Sequence, residues 1–119
     1  MFQDIGISTK ALDGLLLRHE AISNNIANID TPGYKRIDVN FEEVFSRELN
    51  KNAKSINYSQ LDVEVYTDKA NYAYRMDGNN VDVDMEMAQL SKTKLKYDVL
   101  AQRVSSQLSR YKTILNQLK

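Results

Sequence analysis

DVDMEMAQLSKTKLKYDVLAQRVSSQLSRYKTILNQLK, residues 82–119, decides the fold. Stepping through it by alternating threes and fours meets Val83, Met87, Leu90, Lys94, Tyr97, Ala101, Val104, Leu108, Tyr111, Leu115 and Leu118, with Lys94 the one break in an apolar series. That spacing, sustained over more than three heptads, predicts a long helix with coiled-coil character. Asp82 is placed to cap its start, Asp84 and Glu86 fall in its first turn, and Lys112 and Lys119 lie toward its C-terminus, so charges of the right sign meet both ends of the helix dipole. At 1.5 Å per residue it would run roughly 55 Å, a length suited to a shaft.

The chain's beginning carries a matching stripe: Ile5, Ser8, Leu12, Leu15, His19, Ile22, Ile26 and Ile29. It predicts a helix from about Ser8 to Asn28, with Ser8 or Thr9 as its cap. Leu16 and Leu17 fall off the stripe, Leu17 on the far side, so one partner helix cannot cover every apolar residue.

Between the two helices the pattern shortens. Phe41, Val44, Phe45 and Leu49 predict a short amphipathic helix within Asp38–Asn50, and Lys51–Gln60 reads as loop. Leu61–Val65 and Tyr72–Met76 alternate with period two, as a small hairpin or two extended segments would, and Asp77-Gly78-Asn79-Asn80 is a turn. The expected fold is mainly α: long N- and C-terminal helices packed as an antiparallel coiled-coil-like hairpin, with a short helix and a small extended segment between them. Residues 1–36 form the first helix and its closing turn, 37–80 the central part, and 81–119 the last helix, which makes one structural unit with 1–36.

At 119 residues the chain is the size of one modest domain. With 42% apolar and 27% charged residues it is neither disordered nor membrane-like in composition, and no apolar run is long enough to span a bilayer. Met1-Phe2-Gln3-Asp4 lacks the basic-then-apolar order of a secretory signal, so none is expected. The chain has no cysteine, which removes disulfides and thiolate metal sites. Net charge is zero but unevenly spread. Asp38 to Leu90 holds eleven acids and five bases, whereas from Ser91 onward seven bases face the single acid Asp98. The basic end alternates with an apolar seam and has no aromatic stacking platform, which favours a solvated helix face, or attraction to another subunit's acidic middle, over nucleic-acid binding.

Phosphate loops, nucleophile elbows and His-pair metal motifs are missing from the sequence, so no enzyme, cofactor or metal is expected. His19, the only histidine, lies on the apolar seam away from Glu20 and Asp13 and reads as a packing residue. Asp82, Asp84 and Glu86 lack the glycine turn and distal glutamate of a calcium loop and read as helix-start acids. Asn57-Tyr58-Ser59 meets the N-glycosylation pattern, a three-residue match that by itself assigns no function. Tyr97 and Tyr111, two heptads apart, read as interface packing.

Ser23-Asn24-Asn25-Ile26-Ala27-Asn28-Ile29-Asp30-Thr31-Pro32-Gly33-Tyr34-Lys35 closes the first helix. Asn28 tolerates the left-handed backbone that ends helices, and Thr31-Pro32-Gly33-Tyr34 fits a type II turn. Asn24 and Asn28, one turn apart, could fix register between helices or simply cap the helix end. The segment resembles the signature of the flagellar axial proteins of rod, hook and hook junction, carried by Asn24, Asn25, Asn28, Thr31, Pro32, Gly33 and Tyr34. Ile37 to Glu43, and Gly78 to Asp82 leading into Met85 to Leu90, resemble the proximal rod members. Met85 departs from the polar residue expected there, and the short central insert is unlike the larger β-rich domains of distal rod and hook proteins.

The resemblance implies a subunit exported unfolded through the flagellar type III apparatus without signal cleavage, polymerising in the periplasm. Its implied partners are copies of itself, rod proteins of the FlgC, FlgF and FlgG type, the rod-base adapter FliE and the export apparatus, with no nucleic acid and no membrane span. Independently of it, each buried leucine-sized side chain contributes about 1.5–3 kcal/mol, so stripes this wide need cover from other subunits. Leu12, Leu15, Ile22 and Ile26 in the first helix, and Leu90, Tyr97, Val104, Leu108, Tyr111 and Leu115 in the last, are the expected packing residues. A soluble coiled-coil adapter or export chaperone is the alternative.

Overall fold

The computed structural model describes residues 2–50, 58–68 and 76–118. Helix α1 spans Phe2–Ala27, strand β1 Ile37–Val39, helix α2 Phe41–Leu49, a 3-10 turn Tyr58–Leu61, strand β2 Val65–Thr67, and helix α3 Val83–Gln117. The molecule measures 67 × 26 × 16 Å. Its long axis follows α3, whose 35 residues rise about 52 Å. Among the described residues no helix is long and apolar enough to cross a membrane.

The two long helices pack antiparallel, as the stripes require. Asn25, near the end of α1, meets Glu86, in the first turn of α3. Leu12, half a helix earlier, shares a groove with Ala101, Val104 and Leu108. Leu15 and Ile22 are buried, and Leu12, Ile26, Leu90, Val104 and Tyr111 are half-buried. Tyr97, Leu108 and Leu115 stay exposed, Leu115 at 63%.

Helix α1 starts at Phe2, nearly two turns before its expected capping residues. The Thr9 hydroxyl donates to the Ile5 carbonyl 2.8 Å away, one turn back, so it is satisfied inside a helix and caps nothing. The other face of α1 rests on the central segment. Ala11, Val44, Phe45 and Leu61 form a core edged by Ile7, Phe41, Val63 and Leu100. Gly14 lets this happen: a Cβ there would lie 2.7 Å from the Phe41 ring, which stacks on Phe45 at 4.6 Å between centroids.

Helix α2 begins at Phe41, three residues after the expected start, because Ile37–Val39 is drawn into a two-stranded antiparallel sheet. The register pairs Ile37 with Thr67, Asp38 with Tyr66, and Val39 with Val65. The extended segment expected at Leu61–Val65 gives way to a strand at Val65–Thr67, which starts four residues later and pairs antiparallel with β1; of the segment expected at Tyr72–Met76, residues 72–75 lie outside the described residues. Asn40 ties both ends of this arrangement, its amide donating to the Glu64 carbonyl at 3.3 Å and its Oδ1 accepting from the Glu64 amide at 2.7 Å.

Helix α3 is capped as its sequence requires, Asp82 Oδ1 accepting from the amides of Asp84 at 3.0 Å and Met85 at 3.4 Å. Its last turn holds no basic residue, so Lys112 lies too far back to meet the dipole end; Lys119 is outside the described residues.

Candidate functional site

The signature turn is built as its residues suggest. Tyr34 N–H donates to the Thr31 carbonyl at 3.2 Å and Gly33 takes φ +73°, the left-handed value that glycine accepts without strain. Asn28 does not adopt that conformation; glycines alone have positive φ among the described residues. Its side chain instead donates to the Asn24 carbonyl at 2.8 Å and to Asn24 Oδ1 at 3.1 Å, and accepts from the Thr31 hydroxyl at 3.2 Å. The Asn24–Asn28 pair therefore closes its own helix end and does not reach across to α3.

Asn79 completes the closure from fifty residues away. Fully buried, its Nδ2 donates to the carbonyls of Asn28 at 3.0 Å, Ile29 at 3.0 Å and Thr31 at 2.9 Å, while its Oδ1 accepts from the Val81 amide at 2.8 Å. These carbonyls belong to the turn that follows the last residue of α1, Ala27, so Asn79 satisfies the exit of the helix from outside. Gly33 N–H donates to the Asp77 carbonyl at 2.8 Å, and a Cβ on Gly78, itself at φ +82°, would stand 3.6 Å from the Gly33 Cα. Lys35 Nζ donates to the Gly78 carbonyl. Asp77–Asn80 is thus a clamp on the signature turn as well as a turn of its own.

Asn25 is the residue that fixes register. It has no exposed surface, and it exchanges two 2.8 Å hydrogen bonds with the backbone of Ile37, Nδ2 to the carbonyl and Oδ1 from the amide. Tyr34 Oη donates to the same Oδ1 at 3.0 Å, and Asn25 Nδ2 reaches Glu86 Oε2 at 3.2 Å. The other Glu86 oxygen accepts from Arg36 Nε at 2.7 Å. Arg36 continues to Asp68 at 3.0 Å and Asp38 at 3.3 Å, while its backbone amide donates to Asn80 Oδ1 at 2.6 Å. Glu86 is 2% exposed, so this is an ion pair taken out of water, held by a full set of partners.

A second arginine does the same for α2. Arg18 grips Glu42 through both guanidinium NH groups at 2.5 Å, donates to the Val39 carbonyl at 3.0 Å, and lies 5.8 Å from the centre of the Phe41 ring. The Arg18 hydrogen bonds hold the Glu42 carboxyl down at about 2, and Glu42 in return raises the Arg18 guanidinium above its usual basicity. Burial works against the Arg36 charge, but its hydrogen bonds to Glu86 and Asp68 overcome that, leaving it more basic than usual. Burial raises the Tyr34 phenol, and the Glu86 charge adds to the shift. The two arginines and their acids line a cavity of about 400 Å³ with Asn80, Gln89 and Lys92. Every arginine in it is already paired, so its chemistry is cross-linking of elements.

His19, exposed, lines a groove with Leu15 and Leu16 of α1 and Thr93, Lys94, Tyr97 and Asp98 of α3. Among the described residues no cluster of three potential metal ligands occurs. Leu17 is half-buried and borders a groove with Ile37 and Val65 of the sheet. Most of the exposed large apolar side chains lie on α3. Leu95 is 66% and Val99 61% exposed on the face turned away from α1, and Leu118 is 78% exposed at the tail.

Sequence reasoning missed Arg18, Arg36 and the buried role of Glu86. One signal was available: Ala11, Gly14, Arg18, Ala21 and Asn25 recur at helical spacing beside the apolar stripe. Small residues there announce a second close-packed face, and a lone arginine and asparagine among them announce buried polar partners.

The family model described as "Flagella basal body rod protein" matches residues 7–35, the segment that contains most of this hub on α1. The chain is 34% identical to the flagellar basal body rod protein FlgB of Bacillus subtilis over 113 residues, covering 88% of this chain and 87% of the relative. It is 33% identical to FlgB of Buchnera aphidicola, covering 74% and 75%, and 30% identical to FlgB of Borreliella burgdorferi, covering 82% and 84%.

Proposed function

The chain belongs to the FlgB family of flagellar basal body rod proteins, and from that premise we propose that it is a structural subunit that polymerises into the periplasmic drive shaft and carries torque through its packed helices. A structural role in the flagellar rod, within the basal body and among its other components, comes with the family. Export without signal cleavage, contact with FlgC-, FlgF- and FlgG-type rod proteins, FliE and the export apparatus, and transmission of torque are the finer parts of the proposal.

The observation that carries it is the bare outer face of α3. Apolar side chains occupy both sides of that helix, yet α1 can cover only one, and Leu95 and Val99 are left in water on the other. A long helix wetted on an apolar face gains about 25 cal/mol per Å² when a neighbour covers it, which drives association. The polar hub supports the same reading. It fixes the crossing of α1 and α3 at one end with directional bonds, and a stiff, defined hairpin is what a shaft needs from its repeating part.

The domain division proposed is one helical unit, 1–36 with 81–119, carrying the central segment 37–80 on its side. The packing residues proposed are Leu12, Leu15, Ile22 and Ile26 of α1 with Leu90, Tyr97, Val104, Leu108, Tyr111 and Leu115 of α3. Of these, the exposed Leu108 and Leu115 would be covered by neighbours, and Leu15 and Ile22 act within the hairpin.

Replacing Leu108 with Asp tests the reading. A charge placed where a neighbour must pack is left buried and unpaired, so incorporation into basal bodies and motility are expected to be lost. Normal rods and normal swimming with Leu108→Asp in place contradict it.

A further inference from the structure

We propose that the subunits join head to tail, the basic apolar end of α3 of one copy entering the acidic-rimmed groove between α1 and the sheet of the next; this rests on the rod reading above.

The groove has a volume of about 250 Å³ and is lined by Leu17, Ala21, Ile37 and Val65, with Glu20 and Asn24 on its rim. Asp13, Leu17, Glu20 and Asn24 follow one another at helical spacing on the outer face of α1, so two acids bracket Leu17. Glu64, exposed, precedes Val65 on the sheet side. The lysine and arginine on this part of α1 are already paired, Lys10 with Asp62 and Arg18 with Glu42, each at 2.5 Å. The groove is therefore apolar at its floor and negative at its edge.

The end of α3 is its complement. From Val99 to Lys119 there is no acidic residue, while Arg103, Arg110 and Lys112 are all exposed bases. Ile114 is 46%, Leu115 63% and Leu118 78% exposed, and Arg110 sits one turn before Ile114. An apolar ridge flanked by positive charge suits an apolar floor edged by negative charge, in polarity and in sign.

The tail that enters the groove comes from a second copy, because the molecule's own tail cannot reach it. Leu115 lies 29 residues beyond Glu86 in one unbroken helix, about 44 Å along its axis, and Glu86 is bonded to the same Asn25–Ile37 corner that borders the groove. A molecule's own tail is held at the far end from its own groove. A contact between two different surfaces at opposite ends is heterologous, and heterologous contacts propagate into rings or helical filaments instead of closing a dimer.

The chain has no cysteine, so cross-linking reads the contact directly. Leu17→Cys and Leu115→Cys are expressed together in place of the unmodified chain, and isolated basal bodies are oxidised. The expected product is a disulfide-linked pair that needs both variants and is not formed by either alone. Leu17→Cys pairing with itself, or basal bodies that hold both variants with no linked pair, overturns the head-to-tail contact and leaves the rod role standing. Absence of the unmodified chain from basal bodies overturns both. A charge exchange at exposed positions covers loss of assembly by the cysteine variants. Glu20→Lys and Arg110→Glu should each lower incorporation about tenfold and together restore most of it. Losses that simply add overturn the contact.

Discussion

Asn25 and Glu86 stand sixty-one residues apart in the chain and 3.2 Å apart in the fold, both sealed from solvent. Through them the end of α1 and the start of α3 are bonded to each other and, by way of Ile37 and Arg36, to the sheet. A single amide side chain thus holds three elements in register.

Asn25→Ala leaves the Ile37 amide and carbonyl and one Glu86 oxygen without their partner, which is expected to cost about 3 kcal/mol. Asn25→Asp replaces a donor to Glu86 by a second carboxylate and should cost more. Urea denaturation of the free chain checks both, and an unchanged midpoint for either would remove the hub from the account.

Asn79→Ala uncovers the carbonyls of Asn28, Ile29 and Thr31. The expected loss is about 1–3 kcal/mol, and Asn79→Asp, which keeps the shape and the bond to the Val81 amide but loses both donors, should behave alike. If the aspartate variant matches the parent in denaturation, the donors are not what matters.

Gly14→Ala should destabilise, although alanine is the better helix former by about 1 kcal/mol. Its Cβ would stand 2.7 Å from a Phe41 ring already stacked on Phe45, and overpacking of that kind costs about 1–3 kcal/mol. Gly33→Ala meets no neighbour but strains a backbone at φ +73°, for about 1 kcal/mol. Thermal melts of the two variants separate a packing cost from a backbone cost, since Phe41→Leu should relieve the first and not the second.

Glu42 contributes a pH dependence with a definite sign. Its carboxyl is held at about 2 instead of 4.5 by the Arg18 hydrogen bonds, so the folded state binds that proton less readily than the unfolded chain. The stabilisation is complete above pH 4.5 and disappears as pH falls toward 2. Denaturation midpoints across that window should fall more steeply for the parent than for Glu42→Gln, and parallel curves would show that the pair does not contribute.

The two long helices, their antiparallel packing and the Asp82 cap were legible because each rests on local periodicity or on a side chain bonding its own backbone. The Thr31–Tyr34 turn was legible for the same reason. The sheet was not: three-residue strands at Ile37–Val39 and Val65–Thr67 are too short for alternation to mark, and their pairing depends on Asn40 and Asn25 reaching distant backbone. Arg18 and Glu86 on helices, and Arg36 just before β1, were hidden because a charged residue reads as solvated until its partners are known. The sealed roles of Asn25 and Asn79 likewise depend on residues that sequence order keeps far apart.

The most direct test of the central claim, that the outer face of α3 is finished by neighbouring subunits, is thiol labelling of Leu95→Cys in a chain that otherwise has no cysteine. In the free chain the thiol should react as an exposed one, since Leu95 is 66% exposed, and in assembled rods at least about tenfold more slowly. Equal reactivity in the free chain and in the rod contradicts the claim.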